Sequence, residues 1–142
     1  MAPLQNTVGL FGTAGNSTWR NAVMARLDAA GIAYFNPVVP DWTPAHAELE
    51  SQHLASDRVI LLVITAETEG YGSLAETGWA ALSAAQNGQA FLLVIEDYPD
   101  GPKSAANRAR ALVRAHAQKA GMTVYDDVDT AVTAAIEAIR KP

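Results

Sequence analysis

Short apolar runs alternate with helix-patterned segments in this sequence, and that alternation limits its fold more than any other feature. The longest apolar run, residues 59–64, has the composition of a strand that is buried on both faces of a sheet. It predicts a central strand at 59–65, and similar runs predict strands at 7–11, 32–35, 90–95 and 122–125. Helical periods occupy 19–30, 44–55, 72–86 and 103–120, and a last helix capped by Asp127 or Asp129 ends near 139. Asn87-Gly88 is predicted to end the third of these helices. In the fourth helix, Leu112 and Val113 are predicted to face inward, and Arg108, Arg110, Arg114 and Lys119 mostly outward.

The connections between successive strands are long enough for right-handed crossovers, which cover both faces of a parallel sheet with helices. We therefore predict an α/β fold: a single three-layer domain over residues 1–142, with a five-stranded parallel sheet of flavodoxin-like strand order. A chain of 142 residues has a suitable size for one domain with its own core. In such sheets, ligands bind in the crevice outside the carboxyl ends of the strands.

The charged and metal-binding residues limit the classes of partner. The formal net charge is −5 and there is no basic stripe, so no nucleic-acid partner is expected. The chain has no cysteine, which excludes disulfides and thiolate metal sites. His46 and Glu50 have the i,i+4 spacing of two metal ligands, but no third ligand is evident, so we predict no metal. No cofactor is expected either.

The sequence also predicts a cytoplasmic location. The N-terminal residues lack a basic segment followed by a long apolar core, so no signal peptide is expected. No apolar run approaches the roughly 20 residues that a membrane-spanning helix needs. With 49% apolar and 18% charged residues, the composition is that of a globular protein with no membrane partner.

A glycine-rich turn follows the first predicted strand. It consists of Gly12, Thr13, Ala14, Gly15 and Asn16, with Asn16 or Ser17 as the predicted N-cap of the next helix. Glycines let backbone amides approach a ligand closely. The turn matches neither the dinucleotide-binding fingerprint nor the phosphate-binding P-loop. A ligand-facing loop and a plain tight turn are equally compatible with it.

Glu76 lies shortly after the central strand, near the start of the helix predicted at 72–86. This position places a carboxylate at the mouth of the crevice, where the helix amides favour its ionised form. Nucleophilic attack on a sugar carbon requires such a positioned carboxylate. The alternative is an ordinary first-turn glutamate. Trp42 and Tyr71 lie in loops at the same edge and are candidates for stacking on a base, although Trp42 can also pack onto its own loop.

The segment Gly72-Ser-Leu-Ala-Glu76-Thr-Gly-Trp-Ala80 resembles the Gly-Thr-x-x-Glu-Leu-Gly-Tyr-Ala segment of the nucleoside 2-deoxyribosyltransferases. Other pieces resemble the same family in the same order over residues 8–95. They are the glycine-rich turn, Asn36-Pro37 after the second strand, Glu50 on the next helix and Ser56-Asp57 before the central strand. Gly70 stands where the classical enzymes carry an aspartate that contacts the base, with Glu69 beside it.

The resemblance implies cleavage of, or transfer from, the N-glycosidic bond of a nucleoside or nucleotide. Glu76 corresponds to the family's nucleophile, and Glu50 or Glu69 would be a second catalytic carboxyl that protonates or orients the base. For retention, the two carboxyls are expected roughly 5–5.5 Å apart. The candidate substrate-binding residues are Gly12, Thr13, Ala14, Gly15, Asn16, Asn36, Trp42, Tyr71, Gly72 and Ser73.

Other functions are compatible with the same residues. One is a nucleotide-binding or sensing module without catalysis, and another is a hydrolase for nucleoside 5′-monophosphates or an NAD-type glycoside. A structural protein in which Glu76 only supports its helix is a further alternative. Small residues after Glu76, from Gly78 to Ala85, form a smooth helix face that favours a homodimer or larger homo-oligomer. The family often lends a C-terminal asparagine to a neighbouring subunit, for which Asn107 is the candidate.

Overall fold

The computed structural model describes residues 3–141, so residues 1, 2 and 142 of the predicted 1–142 domain lie outside the described part. Five strands and five helices alternate along it. The strands are β1 (Gln5–Gly12), β2 (Ala33–Phe35), β3 (Asp57–Ile64), β4 (Ala90–Ile95) and β5 (Val124–Tyr125). The helices are α1 (Trp19–Ala29), α2 (Pro44–Ser56), α3 (Tyr71–Asn87), α4 (Ala105–Lys119) and α5 (Val128–Arg140).

All paired strands run parallel, in the order β2-β1-β3-β4-β5. This is the flavodoxin-like order, and it confirms the predicted α/β fold with a five-stranded parallel sheet. The strand order reverses at β1 and β3, because β2 lies on one side of β1 while β3 and β4 continue on the other. A crevice therefore forms where the loops after β1 and β3 diverge to opposite faces.

The central strand β3 joins two apolar cores. Val59, Leu61 and Val63 face one core together with side chains of α1 and α5. Ile60, Leu62 and Ile64 face the other core, which side chains of α2, α3 and α4 complete. Side chains alternate between the two faces of a strand, so only a continuous apolar run can serve both cores. All six side chains are fully buried, which explains why this run was the clearest strand signal in the sequence.

Helix α4 differs from its prediction in which side chains it buries. Leu112 was predicted to face inward, but it is 59% exposed. Arg110 was predicted to face outward, but it is 1% exposed. The inward row of the helix consists of Ala106, Arg110, Val113 and Ala117, which follow the i, i+4, i+7, i+11 spacing of one helical face. Small alanines leave room under the helix for the long arginine side chain.

Asp57 begins β3 at the sheet edge opposite the crevice and directly follows α2. Its carboxyl group is buried and hydrogen-bonds His53 Nδ1 at 2.8 Å. The His53 ring stacks on Phe35 with 3.8 Å between ring centroids. Burial raises the pKa of Asp57, and the His53 contact opposes that shift. This pair connects the end of α2 to β2 and so fixes the helix that carries Glu50.

None of the helices within residues 3–141 combines the length and apolar character needed to cross a membrane. The cytoplasmic location stays a prediction.

Candidate active site

A cavity of about 370 Å³ opens at the carboxyl edge of the sheet, beside the β1–β3 switch point. We call it the glutamate cavity. It is lined by Phe11, Gly12, Ala14, Gly15, Arg20, Pro37, Val38, Val39, Trp42, Glu50 and Glu76. These residues come from the end of β1, from the loops after β1 and β2 and from helices α1, α2 and α3. Its volume is in the range of small-molecule sites, which are roughly 300–1,000 Å³.

Glu50 and Glu76 reach this cavity from two adjacent helices, α2 and α3, which pack against each other. Each lies one turn before a residue of the apolar core: Leu54 follows Glu50, and Ala80 follows Glu76. Both glutamates are therefore on the inward side of their helices, at the level where the core gives way to the cavity. The sequence pattern had placed Glu76 at this edge, and the structure brings Glu50 to the same space.

The electrostatic environment of Glu76 differs from the expectation. The side chain reaches solvent, but the protein around its carboxyl group raises its pKa, and repulsion from Glu50 raises it further. The helix amides were expected to favour the ionised form of Glu76, but burial and Glu50 shift its pKa in the opposite direction. Glu76 is the sixth residue of α3, because the helix starts at Tyr71, and the amide dipoles act mainly within the first turn.

The last residue of β1, Gly12, and the loop after it, with Ala14 and Gly15, line the cavity. Gly12 has φ 120°, and a Cβ atom there would lie 2.0 Å from the backbone oxygen of Val63. Only glycine permits β1 and β3 to approach so closely at the edge of the cavity. The following amide, that of Thr13, donates to the same Val63 oxygen at 2.9 Å.

Thr13 is buried and does not line the cavity. Its Oγ1 accepts from the amide of Thr65 at 3.0 Å, which connects the loops after β1 and β3. Asn16 is exposed and also lies outside the lining. The N-cap of α1 is Thr18, so the prediction of Asn16 or Ser17 was wrong, and the Ser17 hydroxyl donates instead to the Thr13 carbonyl at 3.0 Å.

The loop after β2 forms a second wall of the cavity with Pro37, Val38, Val39 and Trp42. Trp42 is 58% exposed, so its ring is accessible to a ligand. Asn36 does not line the cavity. Its Oδ1 accepts from the amide of Val38 at 3.0 Å, and it thereby shapes this wall.

A protein-family model described as "Nucleoside 2-deoxyribosyltransferase like" matches residues 5–98, about two thirds of the chain. The chain belongs to this nucleoside 2-deoxyribosyltransferase-like family. The match confirms the resemblance inferred from the Glu76 segment, and it includes every residue of the glutamate cavity. It ends before α4. A comparison with curated proteins gave no match.

Four residues that the family resemblance suggested lie away from the glutamate cavity. Glu69, Tyr71, Gly72 and Ser73 are not among its lining residues. Glu69 is exposed, and its carbonyl oxygen accepts from Arg110 at 3.1 Å. Of the two glutamates considered as the second carboxyl, only Glu50 shares the cavity with Glu76.

Arg20 lines the cavity and was not considered from the sequence. Its guanidinium is buried and donates to the carbonyl oxygens of Leu10, Gly12 and Thr13. Burial lowers its pKa to about 10, while Glu50 and Glu67 oppose that shift, so Arg20 is cationic at neutral pH. The sequence could have indicated that Arg20 is buried, because it lies on the inward row of α1, three residues before Val23 and seven before Leu27.

No group of three or more His, Asp or Glu side chains within residues 3–141 could hold a metal ion. His46, which the sequence paired with Glu50, has another role. Its Nδ1 accepts from the amide of Thr43 at 2.9 Å, which completes a capping box at the start of α2.

Proposed function

We propose that this protein cleaves or transfers the N-glycosidic bond of a nucleoside or nucleotide, with Glu76 as nucleophile and Glu50 as the second carboxyl. The observation that carries the proposal is that Glu50 and Glu76 line one cavity of nucleoside size in a member of the deoxyribosyltransferase-like family. Two carboxyl groups flanking the scissile bond are the usual catalytic set for glycoside cleavage.

In the first step, a carboxylate oxygen of Glu76 attacks the anomeric carbon of the sugar. The carbon–nitrogen bond breaks, its electron pair goes to the base, and the base nitrogen takes a proton delivered from the side of Glu50. In the second step, water or a second base attacks the same carbon and the Glu76 ester bond breaks. Two inversions give net retention, for which the two carboxyls must lie roughly 5–5.5 Å apart, a separation that stays a prediction.

The repulsion between the two glutamates supports this chemistry. Burial and the neighbouring Glu50 both raise the pKa of Glu76, so two ionised carboxylates in this cavity are unfavourable. A pair that holds one proton avoids the repulsion, and this is the state in which one glutamate attacks while the other delivers the proton. The negative charge of the attacking carboxylate also stabilises the oxocarbenium-like transition state, in which the sugar becomes positive.

The walls of the cavity suit the two ends of a nucleoside. Trp42 is exposed beside the glutamates and offers a flat apolar surface on which a base can stack. The backbone of Gly12, Ala14 and Gly15 lies on the other side, where its amides can bind a 5′-hydroxyl or a 5′-phosphate. Arg20 adds a positive charge below this loop.

The proposal is tested by incubating the purified protein with a panel of nucleosides and nucleotides and measuring free base by chromatography. Base release is expected from the wild type and from Glu69→Gln, whose side chain lies outside the cavity. Glu76→Ala is expected to abolish it, and Glu50→Gln to slow it about 100-fold or more, as expected for loss of a general acid. Unchanged release by Glu76→Ala would refute the nucleophile.

Two other outcomes would favour the alternatives. Tight binding of a nucleotide without base release over long incubation would favour a sensing module. Release confined to 5′-monophosphates, with no transfer to an added second base, would favour a nucleotide hydrolase.

A further inference from the structure

Arg110 on α4 is almost completely buried at the carboxyl ends of the central strands, outside the glutamate cavity. Its Nη2 donates to the carbonyl oxygens of Thr65 (3.0 Å), Thr68 (2.8 Å) and Glu69 (3.1 Å). Its Nη1 donates to the carbonyl oxygen of Glu96, directly after β4. One guanidinium therefore connects the ends of β3 and β4 with the loop of residues 65–70, which leads to α3.

The 65–70 loop determines where α3 begins. Its last residue, Gly70, has φ 73°, and its carbonyl oxygen accepts the first helical hydrogen bond, from the amide of Leu74 at 2.9 Å. A Cβ atom on Gly70 would lie 3.3 Å from Arg110 Nη2 and 3.0 Å from Ile64 Cγ2. Glu76 follows Gly70 by six residues, about 9 Å along the same helix. A shift of the loop against Arg110 is thus transmitted to Glu76, because a helix moves as a rigid element.

The same loop also contacts the loop after β1, which lines the cavity. The Thr65 amide donates to Thr13 Oγ1 at 3.0 Å. The Glu67 carboxylate accepts from the Thr65 hydroxyl at 2.8 Å and from the Thr18 amide, at the start of α1, at 3.2 Å. The contacts of Arg110 therefore extend through the 65–70 loop to the start of α3 and to the loop after β1.

We propose that Arg110 is a positioning residue for the glutamate cavity, which fixes the start of α3 and thereby the location of the Glu76 carboxyl relative to Glu50. Its effect on turnover, as distinct from its effect on location, rests on the proposed function. Arg110 lies outside residues 5–98, the segment that the family match covers. Its guanidinium lies 5.5 Å from the centroid of the Tyr98 ring, but its hydrogen bonds all go to backbone carbonyl oxygens. Its contact with the 65–70 loop therefore does not depend on which side chains the loop carries.

A lysine cannot replace this arginine. The planar guanidinium reaches the Glu96 carbonyl with one nitrogen and the three loop carbonyls with another. A lysine ammonium is a single nitrogen with three donors and can occupy only one of these two places. Arg110→Lys therefore keeps the positive charge but loses part of the hydrogen bonds to the carbonyl oxygens. Its effects can thus be assigned to the position of the 65–70 loop and not to the loss of a charge.

The first test is a pH titration of the Glu76 carboxyl by carbon-13 NMR on glutamate-labelled protein, with Glu76→Gln used to assign the signal. In Arg110→Lys, α3 is expected to loosen at its start and admit water, so the midpoint of Glu76 moves down toward the ordinary value of 4.5. The matched control is Arg114→Lys, one turn further along α4. Arg114 donates to the Ile95 carbonyl at 2.8 Å and to Asp126 at 2.9 Å, with no contact to the 65–70 loop, so no shift is expected.

An unchanged Glu76 midpoint in a folded Arg110→Lys protein, with only a lower melting temperature, would overturn the proposal and leave Arg110 a structural residue. Should that variant not fold, Gly70→Ala addresses the same contact from the loop side and is expected to shift the midpoint in the same direction. An unchanged midpoint in Gly70→Ala would then overturn the proposal.

The second test is base release with a substrate that the wild type turns over. Arg110→Lys is expected to lower kcat by up to about 100-fold with little change in KM, because the reacting carboxyl is misplaced while the ligand contacts remain. Equal kcat values for the wild type and Arg110→Lys would contradict an effect of Arg110 on turnover. If the wild type releases no base, the proposed function fails, but the titration still decides whether Arg110 positions Glu76.

Discussion

At the level of single side chains, the glutamate cavity brings together two carboxyl groups of like charge and one buried arginine. Glu50 and Glu76 repel each other, and Arg20 is buried next to them with donors directed at backbone carbonyls. Like charges held in one cavity destabilise a folded protein, and such strain is typical of sites maintained for function. The strain can be measured without knowing the substrate.

Glu76→Gln is predicted to stabilise the protein at pH 7 and not at pH 4. The folded-state pKa of Glu76 is raised above the ordinary 4.5, so the folded protein binds this proton more tightly than the unfolded chain does. The resulting stability is present below that ordinary value and is lost as the pH rises through the raised pKa. Glutamine cannot ionise, so the Glu76→Gln protein keeps this stability at pH 7.

The measurement is the melting temperature by circular dichroism at both pH values. A rise of roughly one or two degrees at pH 7 is expected, since solvent at the exposed side chain screens the repulsion. The exposed Glu69→Gln serves as control. Equal stability of Glu76→Gln and wild type at both pH values would show that Glu76 is not strained.

The strand-to-helix pattern was sufficient to place Glu76 at this edge of the sheet, whereas Glu50 came from the family resemblance, with Glu69 as its alternative. The sequence was insufficient for Arg20 and Arg110. Periodicity places both on inward helix rows, but an arginine there is ordinarily read as solvated. Only the fold shows that the strand ends supply carbonyl oxygens within reach of each guanidinium. The pKa of Glu76 is raised first by burial and then by Glu50, which lies 26 positions earlier in the sequence; both causes arise only in the folded chain and were therefore missed.

At the level of strands, helices and loops, the cavity exists because β1 and β3 approach closely before their loops diverge. Gly12, the last residue of β1, and Gly15, in the loop that follows, both have positive φ, but they differ in surroundings. A Cβ atom on Gly12 would collide with the backbone of Val63, whereas nothing lies within 4 Å of one on Gly15. The two glycines therefore form a matched pair.

Gly12→Ala is predicted to destabilise the protein by about 3 kcal/mol or more, from the collision with β3 added to the strained φ. Gly15→Ala introduces only the strained φ, without a collision, and is expected to destabilise the protein by about 1 kcal/mol. Urea denaturation followed by circular dichroism measures both changes. Similar losses for the two variants would contradict the close β1–β3 contact.

The predicted elements agree with the observed ones where an apolar run or a glycine marks them. Helix α3 ends at Asn87, followed by Gly88 with φ 72°, as the sequence indicated. The predictions for α4 were right for Val113, which faces inward, and wrong for Leu112, which is exposed while the small residues Ala106 and Ala117 are buried. A hydrophobicity pattern cannot distinguish a helix that packs through alanines from one that packs through leucines.

At the level of the whole molecule, the outer surface of α3 is apolar next to the cavity. Trp79 is 77% exposed and Leu82 is 61% exposed. They lie three residues apart on one helix face, and Trp79 is also three residues from Glu76. A second copy that covers this face would border the cavity and restrict its access to water. The homo-oligomer inferred from the sequence is thus proposed to form through α3.

Trp79→Lys is predicted to convert such an oligomer to monomers, because a charged side chain replaces the largest exposed apolar one on the face. Size-exclusion chromatography with light scattering measures the mass. Leu112→Lys on α4, where the side chain is 59% exposed, is the control and should leave the mass unchanged. A monomeric wild type, or an oligomer that persists in Trp79→Lys, would exclude this interface.

The most direct test of the proposed mechanism is mass spectrometry of the protein quenched during reaction with a 2′-fluorinated nucleoside, whose glycosyl ester is slow to hydrolyse. The mechanism predicts the mass of one sugar unit added to Glu76, located by peptide fragmentation, and no addition in Glu76→Gln. Base release by the wild type with no sugar on Glu76, or with sugar on another residue, would contradict a Glu76 nucleophile.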